Sequence, residues 1–427
     1  MKKVNIKKTA ALFFIIVLWI VTACGKPAYI SDYADDINIR QEIFTDSKDR
    51  FTFLHEGNER MCTNYSGLYY IKVSTGENSR EPQRIMYYDY AVGNSSIWCS
   101  NVSCTHDSET CPAFVNSDYS YVEWSEGYIY KIREDDTGIY LVRFNDDSSG
   151  ETDIVNLIKD INGSVSVNIG RVYDNKFYYC VSGEDNKYNY YRADLGKKDS
   201  TEYLFSLDSV SNKIAMTGFF INDSCIYVSS AQYSSGEKDY KRVVYRYSFE
   251  EKEVKELISR DDYYRTTAND NLYLFTENKE LYKVTENGET EEVSAGKFKS
   301  IKDGEYGIYC NEKYIIIMED LDTNNIFDSG ERMIYVYDIE QDILNGISVN
   351  ELRGNDNIDQ TETASESYET VQAGDGAAYI NASPDVFGIQ GLTGRYCVFN
   401  CYKYEAYYLL DLTSVSDEEL KYKVIDY

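Results

Sequence analysis

From about residue 60 onward the chain repeats one hydrophobic pattern. A turn rich in Gly, Asn or Ser opens into a short run of apolar and aromatic residues. A polar turn follows, then a second run built around Tyr-Arg or Tyr-Val, then an acidic turn. The copies are Gly67–Ile71 with Ile85–Tyr88, Gly127–Lys131 with Ile139–Arg143, Asn175–Tyr179 with Asn189–Arg192, and Ser224–Val228 with Val243–Tyr247. They continue with Asn271–Phe275 and Leu281–Val284, Tyr306–Tyr309 and Met333–Tyr337, and Gly394–Val398 and Ala406–Leu410. Starts at 127, 175, 224 and 271 lie 48, 49 and 47 residues apart. A strand-rich period of roughly 40–50 residues is the signature of a propeller blade, a small twisted sheet that cannot bury both faces alone. The pattern predicts an all-β fold: a single β-propeller of about seven four-stranded blades, with six or eight also consistent with the spacing. A sandwich or solenoid of the same strand pairs is the runner-up. Helical periodicity is scarce. Ile154–Ile161 has room for two helical turns, and Ser416–Glu419 has the form of a capping box before a short C-terminal segment. Residues 351–372 are polar, acidic and without strand pattern, which predicts a loop between blades.

Composition agrees with strands. Tyrosine is abundant at 43 of 427 residues, and proline is rare at 4. Tyrosine favours strands and joins an apolar ring to a hydroxyl that needs a partner.

The first 60 residues follow other rules. Lys2, Lys3, Lys7 and Lys8 precede a 12-residue apolar run, Ala10–Val21, which ends Val21-Thr22-Ala23-Cys24-Gly25. That is a charged region and an apolar region of signal-peptide length, too short for a span of about 20 residues. The end of the run resembles the bacterial lipobox, in which the cysteine thiol takes a diacylglyceryl group and cleavage falls just before it. The resemblance implies lipidation at Cys24. The expected organisation is a signal peptide at 1–23, a lipidated N-terminus and tether at 24–50, and a propeller-like domain at 51–427. The protein would then sit on the extracellular face of the cell membrane, held there by its acyl chains.

Removal of residues 1–23, with four lysines and no acid, takes the net charge from −29 to −33. Such a chain repels phosphate backbones, so nucleic acid is not an expected partner. It suits divalent cations, basic partners or neutral glycans. Ten cysteines become nine after lipidation, an odd number. Cys180, Cys310 and Cys397 end similar apolar runs and read as buried small hydrophobes.

Two segments carry metal chemistry. The first is Asp320–Glu331. Asp320, Asp322, Asn324, Asp328 and Glu331 resemble the EF-hand calcium loop at its first, third, fifth, ninth and twelfth positions, with Ile326 offering its carbonyl. Asn325 replaces the usual glycine, and asparagine tolerates the left-handed conformation needed there. The flanks, Tyr314–Met318 and Met333–Tyr337, read as strands, so a structural calcium would pin a long hairpin. The second segment holds Cys99, Cys104, His106 and Cys111 in a C-x4-C-x-H-x4-C spacing. Three thiols and an imidazole are a donor set for tetrahedral zinc. A disulfide from Cys99 to Cys104 or Cys111, or reduced thiols capping a loop at a blade edge, are the alternatives. Four protein ligands would leave no open position for a substrate.

The lipobox, the Tyr-rich repeats and the Cys/His segment together resemble a group of uncharacterised lipoproteins of Gram-positive bacteria that contain a propeller-like domain of unknown function. Where that group has a proline before the second cysteine, this chain has Val102-Ser103. The resemblance covers most of residues 20–410 and implies a fold and a location without an activity. The expected role is a binding or scaffolding module for a protein or glycan ligand, with no catalytic residue assigned. The alternative is a secreted glycan-active enzyme using paired carboxylates on the propeller face. No Gly-x-Ser-x-Gly elbow, phosphate-cradling glycine loop or His-Glu-x-x-His motif is present, and two histidines leave little room for imidazole catalysis. A transporter's solute receptor would need alternating helices that the pattern lacks.

Overall fold

A computed structural model describes residues 61–426 apart from 65, 73–82, 91, 116–120, 159–165, 183–186, 209–213, 234–239, 302–305, 320–332, 349–386, 393, 402–405 and 418–419. All described residues belong to the unit that spans Asp46–Tyr427. The described residues form seven antiparallel sheets. Six have four strands in simple sequence order, and the first has a fifth short strand. This is a seven-bladed β-propeller. Among the described residues there is no α-helix, only 3-10 turns at Lys297–Ser300 and Leu412–Ser416.

The reason the chain folds this way is visible in blade 3. Its second strand, Lys176–Ser182, reads KFYYCVS and is buried from Phe177 to Val181. Side chains alternate across a strand. Phe177, Tyr179 and Val181 join a cluster with blade 2 residues such as Leu141 and Val155. Tyr178 and Cys180 join a different cluster with Phe219, Ile226 and Val228 of blade 4. A central strand therefore feeds two seams, which is why it reads as a continuous apolar run rather than as an alternation.

The same division holds around the ring. Each buried cluster joins two neighbouring blades: 1 with 2, 2 with 3, 3 with 4, 4 with 5, 5 with 6, and 6 with 7. The seventh closes the ring by setting Met61, Leu68 and Tyr70 of blade 1 against Tyr396, Val398 and Leu409 of blade 7. Among the described residues no strand is exchanged between the first and last blades, and side chains of the two pack at this seam.

Cys180, Cys310 and Cys397 lie on strands at 0% exposure, as expected, and Cys62 and Cys225 are buried in the same manner. Six of the seven sequence copies coincide with second and third strands. In blade 6 the Tyr306–Tyr309 copy is instead the first strand, Tyr306–Cys310, and the second is Tyr314–Glu319. Two helical expectations are corrected. Ile154 and Val155 belong to the outer strand of blade 2, Thr152–Asn156, where both are buried. The C-terminal turn ends at Ser416 rather than starting there. It spans Leu412–Ser416, its cap is Asp411, whose carboxylate accepts from the Thr413 amide, and Lys421–Asp426 is the outer strand of blade 7.

Candidate metal centre

The Cys/His segment is an excursion from the outer strand of blade 1. That strand starts as Asn94–Ile97, with Met86 opposite Ile97. It resumes as Phe114–Val115, opposite Arg84 and Gln83 of the same neighbour strand. Ile85 stands at the splice. Its amide donates to the Ala113 carbonyl at 2.7 Å, and its carbonyl accepts from the Trp98 amide at 3.0 Å. Residues 99–112 thus leave and return at a single register position.

Both legs are anchored to blade 2. The buried Trp98 packs edge-on against Tyr69 and Phe144, and its indole N–H donates to the Asp146 carbonyl at 2.9 Å. The Ser100 amide donates to the Ser148 hydroxyl at 2.7 Å. On the return leg, the Lys131 ammonium donates to the carbonyls of Pro112 (2.9 Å) and Phe114 (2.7 Å).

The excursion folds back so that its four donor atoms converge. Cys99 follows the outgoing leg and Cys111 precedes the return leg, with Cys104 and His106 from the excursion between them. One ligand atom from each lies within 4.8 Å of every other. The turns are local. The Cys104 amide donates to Asn101 (3.1 Å) and the Cys111 amide to Ser108 (2.9 Å). His106 takes a left-handed φ of 61°, which brings its amide to the Cys104 sulfur and its Nδ1 to the Cys111 sulfur, both at 3.4 Å. Arg84 fixes this bend by donating from Nε to the His106 carbonyl at 2.8 Å. Cys111 is buried, while the other three are half-buried. The His106 amide holds the Cys104 thiol below the ordinary cysteine range, and burial pushes Cys111 up to about 12.

The four residues singled out by spacing are therefore brought together, with Cys99, Cys104 and Cys111 as thiols rather than disulfides. Sequence reasoning missed Lys131 and Arg84. Lys131 left one signal, a lysine inside the apolar run Tyr128–Ile132. It is only 4% exposed, and burial lowers its ammonium to about 8.

The other expected site residues lie outside the described residues. These are Cys24 and the calcium set Asp320, Asp322, Asn324, Ile326, Asp328 and Glu331. The strands that flank the second set do pair as a hairpin, Met318 opposite Ile334 and Tyr314 opposite Asp338.

No protein-family model matches the chain, and no curated protein matches it by sequence. Solved structures similar to it include the β-propeller domain of the Trilobed protease from Pyrococcus furiosus, at 11% identity and TM-score 0.46, over 87% of this chain and 97% of that one. The acylaminoacyl peptidase of Pyrococcus horikoshii is similar at 11% identity and TM-score 0.49, over 87% of this chain. The chain spans about half the length of the acylaminoacyl peptidases it matches, 47% and 52%. These likenesses concern the propeller fold alone.

Proposed function

We propose that this is a lipid-anchored, extracytoplasmic propeller that serves as a binding or scaffolding module for a protein or glycan, and not as a catalyst. The observation that carries the reading is how two buried carboxylates, Glu123 and Asp338, and the half-buried Asp146 are used. Glu123 accepts from the Tyr121 hydroxyl and, at 2.8 Å, from the Val172 amide of blade 3. Asp146 of blade 2 accepts from the Tyr69 hydroxyl and Asn64 Nδ2 of blade 1. Asp338 accepts from the amides of Glu340 and Gln341 in its own turn. Each carboxylate serves a seam or a turn: Glu123 and Asp146 both belong to blade 2 but face its two different neighbours, blades 3 and 1, and Asp338 belongs to blade 6. A glycan hydrolase needs two carboxyls converging on one bond, about 5–9 Å apart. The ring makes a rigid platform, and the Cys24 motif would hold it at a membrane surface.

Two measurements test this on the full chain. Cys24→Ala should move the protein from the membrane fraction to the soluble fraction, and an unchanged distribution would sink the anchor. Glycan arrays and crosslinking at the cell surface should return a saturable ligand. Release of reducing sugar from that ligand by the purified protein would transfer the assignment to the glycan-active alternative.

A further inference from the structure

The geometry points to a structural zinc ion bound by Cys99, Cys104, His106 and Cys111, which staples the spliced outer strand of blade 1. This stands apart from the proposed binding role.

The donor set is the first support. Three sulfurs and one imidazole nitrogen favour a borderline-soft, tetrahedral ion over a hard one. In a tetrahedral zinc site the sulfurs stand about 3.8 Å apart, given Zn–S bonds of about 2.3 Å. Donors already within 4.8 Å of one another need to contract by about an ångström or less. His106 faces Cys111 through Nδ1, so Nδ1 is the ligand atom. The His106 amide directed at the Cys104 sulfur is the kind of outer hydrogen bond that orients a metal thiolate.

Charge is the second, independent support. Three thiolates, one neutral imidazole and Zn2+ sum to −1. Lys131 comes from the next blade, is buried, and has no carboxylate within ion-pair distance among the described residues. Its partners are the carbonyls of Pro112 and Phe114, on the return leg that carries Cys111. A buried cation without a counter-charge is costly. An anionic zinc–thiolate centre beside it would supply that charge.

Position is the third. The outer strand of blade 1 is broken at Ile85, and its two ends continue into Cys99 and, two residues back from Ala113, Cys111. One ion bound to both fastens the two legs. Four protein ligands leave no open coordination position, so the ion is structural and activates no water.

The test uses the full chain extracted in detergent and purified under reducing conditions with zinc present. One zinc per chain is expected. Cobalt in its place should show the absorption of a tetrahedral thiolate site. Cys104→Ser, on the half-exposed excursion, and His106→Ala should lose the metal. Cys180→Ala, in a distant seam, should keep it. Lys131→Met, with all ligands intact, should weaken zinc about 10-fold. A zinc-selective chelator should lower the melting temperature, with recovery on zinc and not on calcium. Absence of zinc would overturn the assignment, as would a Cys99–Cys104 or Cys99–Cys111 disulfide in the mass spectrum. So would zinc that survives every ligand substitution.

Discussion

Asn269 donates from Nδ2 to the main-chain carbonyl of Asn311, 2.9 Å away, and the two residues hold the same place in adjacent blades. Each caps its own first turn. Asn269 Oδ1 accepts from the Asn271 amide, and Asn311 Oδ1 accepts from the amides of Lys313 and Tyr314. Asn222 repeats this in blade 4, accepting from Ser224 and Cys225 and donating at 3.4 Å to the Asp270 carbonyl of blade 5. Asn64 caps the same turn in blade 1. One side chain thus shapes a hairpin with its oxygen and reaches the neighbouring blade with its nitrogen.

The two roles of Asn269 can be separated by substitution. Asn269→Asp keeps the acceptor and loses the inter-blade donor, whereas Asn269→Ala loses both. The expected costs are about 1 and about 2 kcal/mol, since a hydrogen bond contributes roughly 1 kcal/mol net. Urea unfolding with an unchanged slope reads the difference. Equal losses would mean the bond to Asn311 contributes nothing.

Glu123 joins blades 2 and 3 at a site with no water access to replace it, being 6% exposed. Glu123→Leu leaves the Val172 amide and the Tyr121 hydroxyl without this acceptor. The expected loss is about 2–4 kcal/mol, the cost of stranding buried donors. Chemical denaturation of the variant measures it, and a loss under about 0.5 kcal/mol would contradict the role.

Two glycines separate steric from conformational cost. A Cβ on Gly67 would lie 2.4 Å from both the Tyr87 ring and the Tyr88 carbonyl oxygen. Gly127 has φ +84° and nothing within 4 Å of such a Cβ. Gly67→Ala should cost about 3 kcal/mol or more through displaced backbone, and Gly127→Ala about 1 kcal/mol through strain alone. Paired melting curves test the order, and a reversal would refute the steric account.

Alkaline pH should unfold this ring in a window set by its tyrosines. Burial raises Tyr130, Tyr179, Tyr273 and Tyr337 from 10 to about 12. A group whose folded pKa is raised stabilises fully below its unfolded pKa and loses that contribution as pH rises through the folded one. Stability from these four should therefore be intact below about pH 10 and gone above about pH 12. Phenolate absorbance should rise steeply and together with loss of far-ultraviolet strand signal. A gradual titration centred near pH 10 in the folded state would contradict it.

The blade repeat is legible in the sequence because second strands bury both faces, and a double-sided strand writes a dense apolar-aromatic run. The same property causes the slip in blade 6. Tyr306–Cys310 and Tyr314–Met318 are both largely buried, so composition does not say which is first. Ile154 and Val155 are adjacent apolar residues at the end of a blade, a spacing that fits a helix turn or a short outer strand. Only their cross-strand partners in blade 2, Leu141 opposite Val155, decide it. The convergence of Cys99, Cys104, His106 and Cys111 follows from their closeness in sequence. Lys131 could not be assigned to them, because its proximity depends on how blades 1 and 2 meet, nor Arg84, because its proximity depends on how the spliced outer strand pairs within blade 1.

The sheets have a consequence for how such a protein can change over generations. Each described blade draws its strands from one continuous stretch of chain, and among the described residues no strand is lent to a neighbour. Duplicating or deleting one stretch would add or remove a whole blade and leave every remaining strand with its own partners. A ring of this kind can vary its blade number by single genetic events, and the side-chain seam between Leu68 and Val398 is where a ring of new size would have to meet.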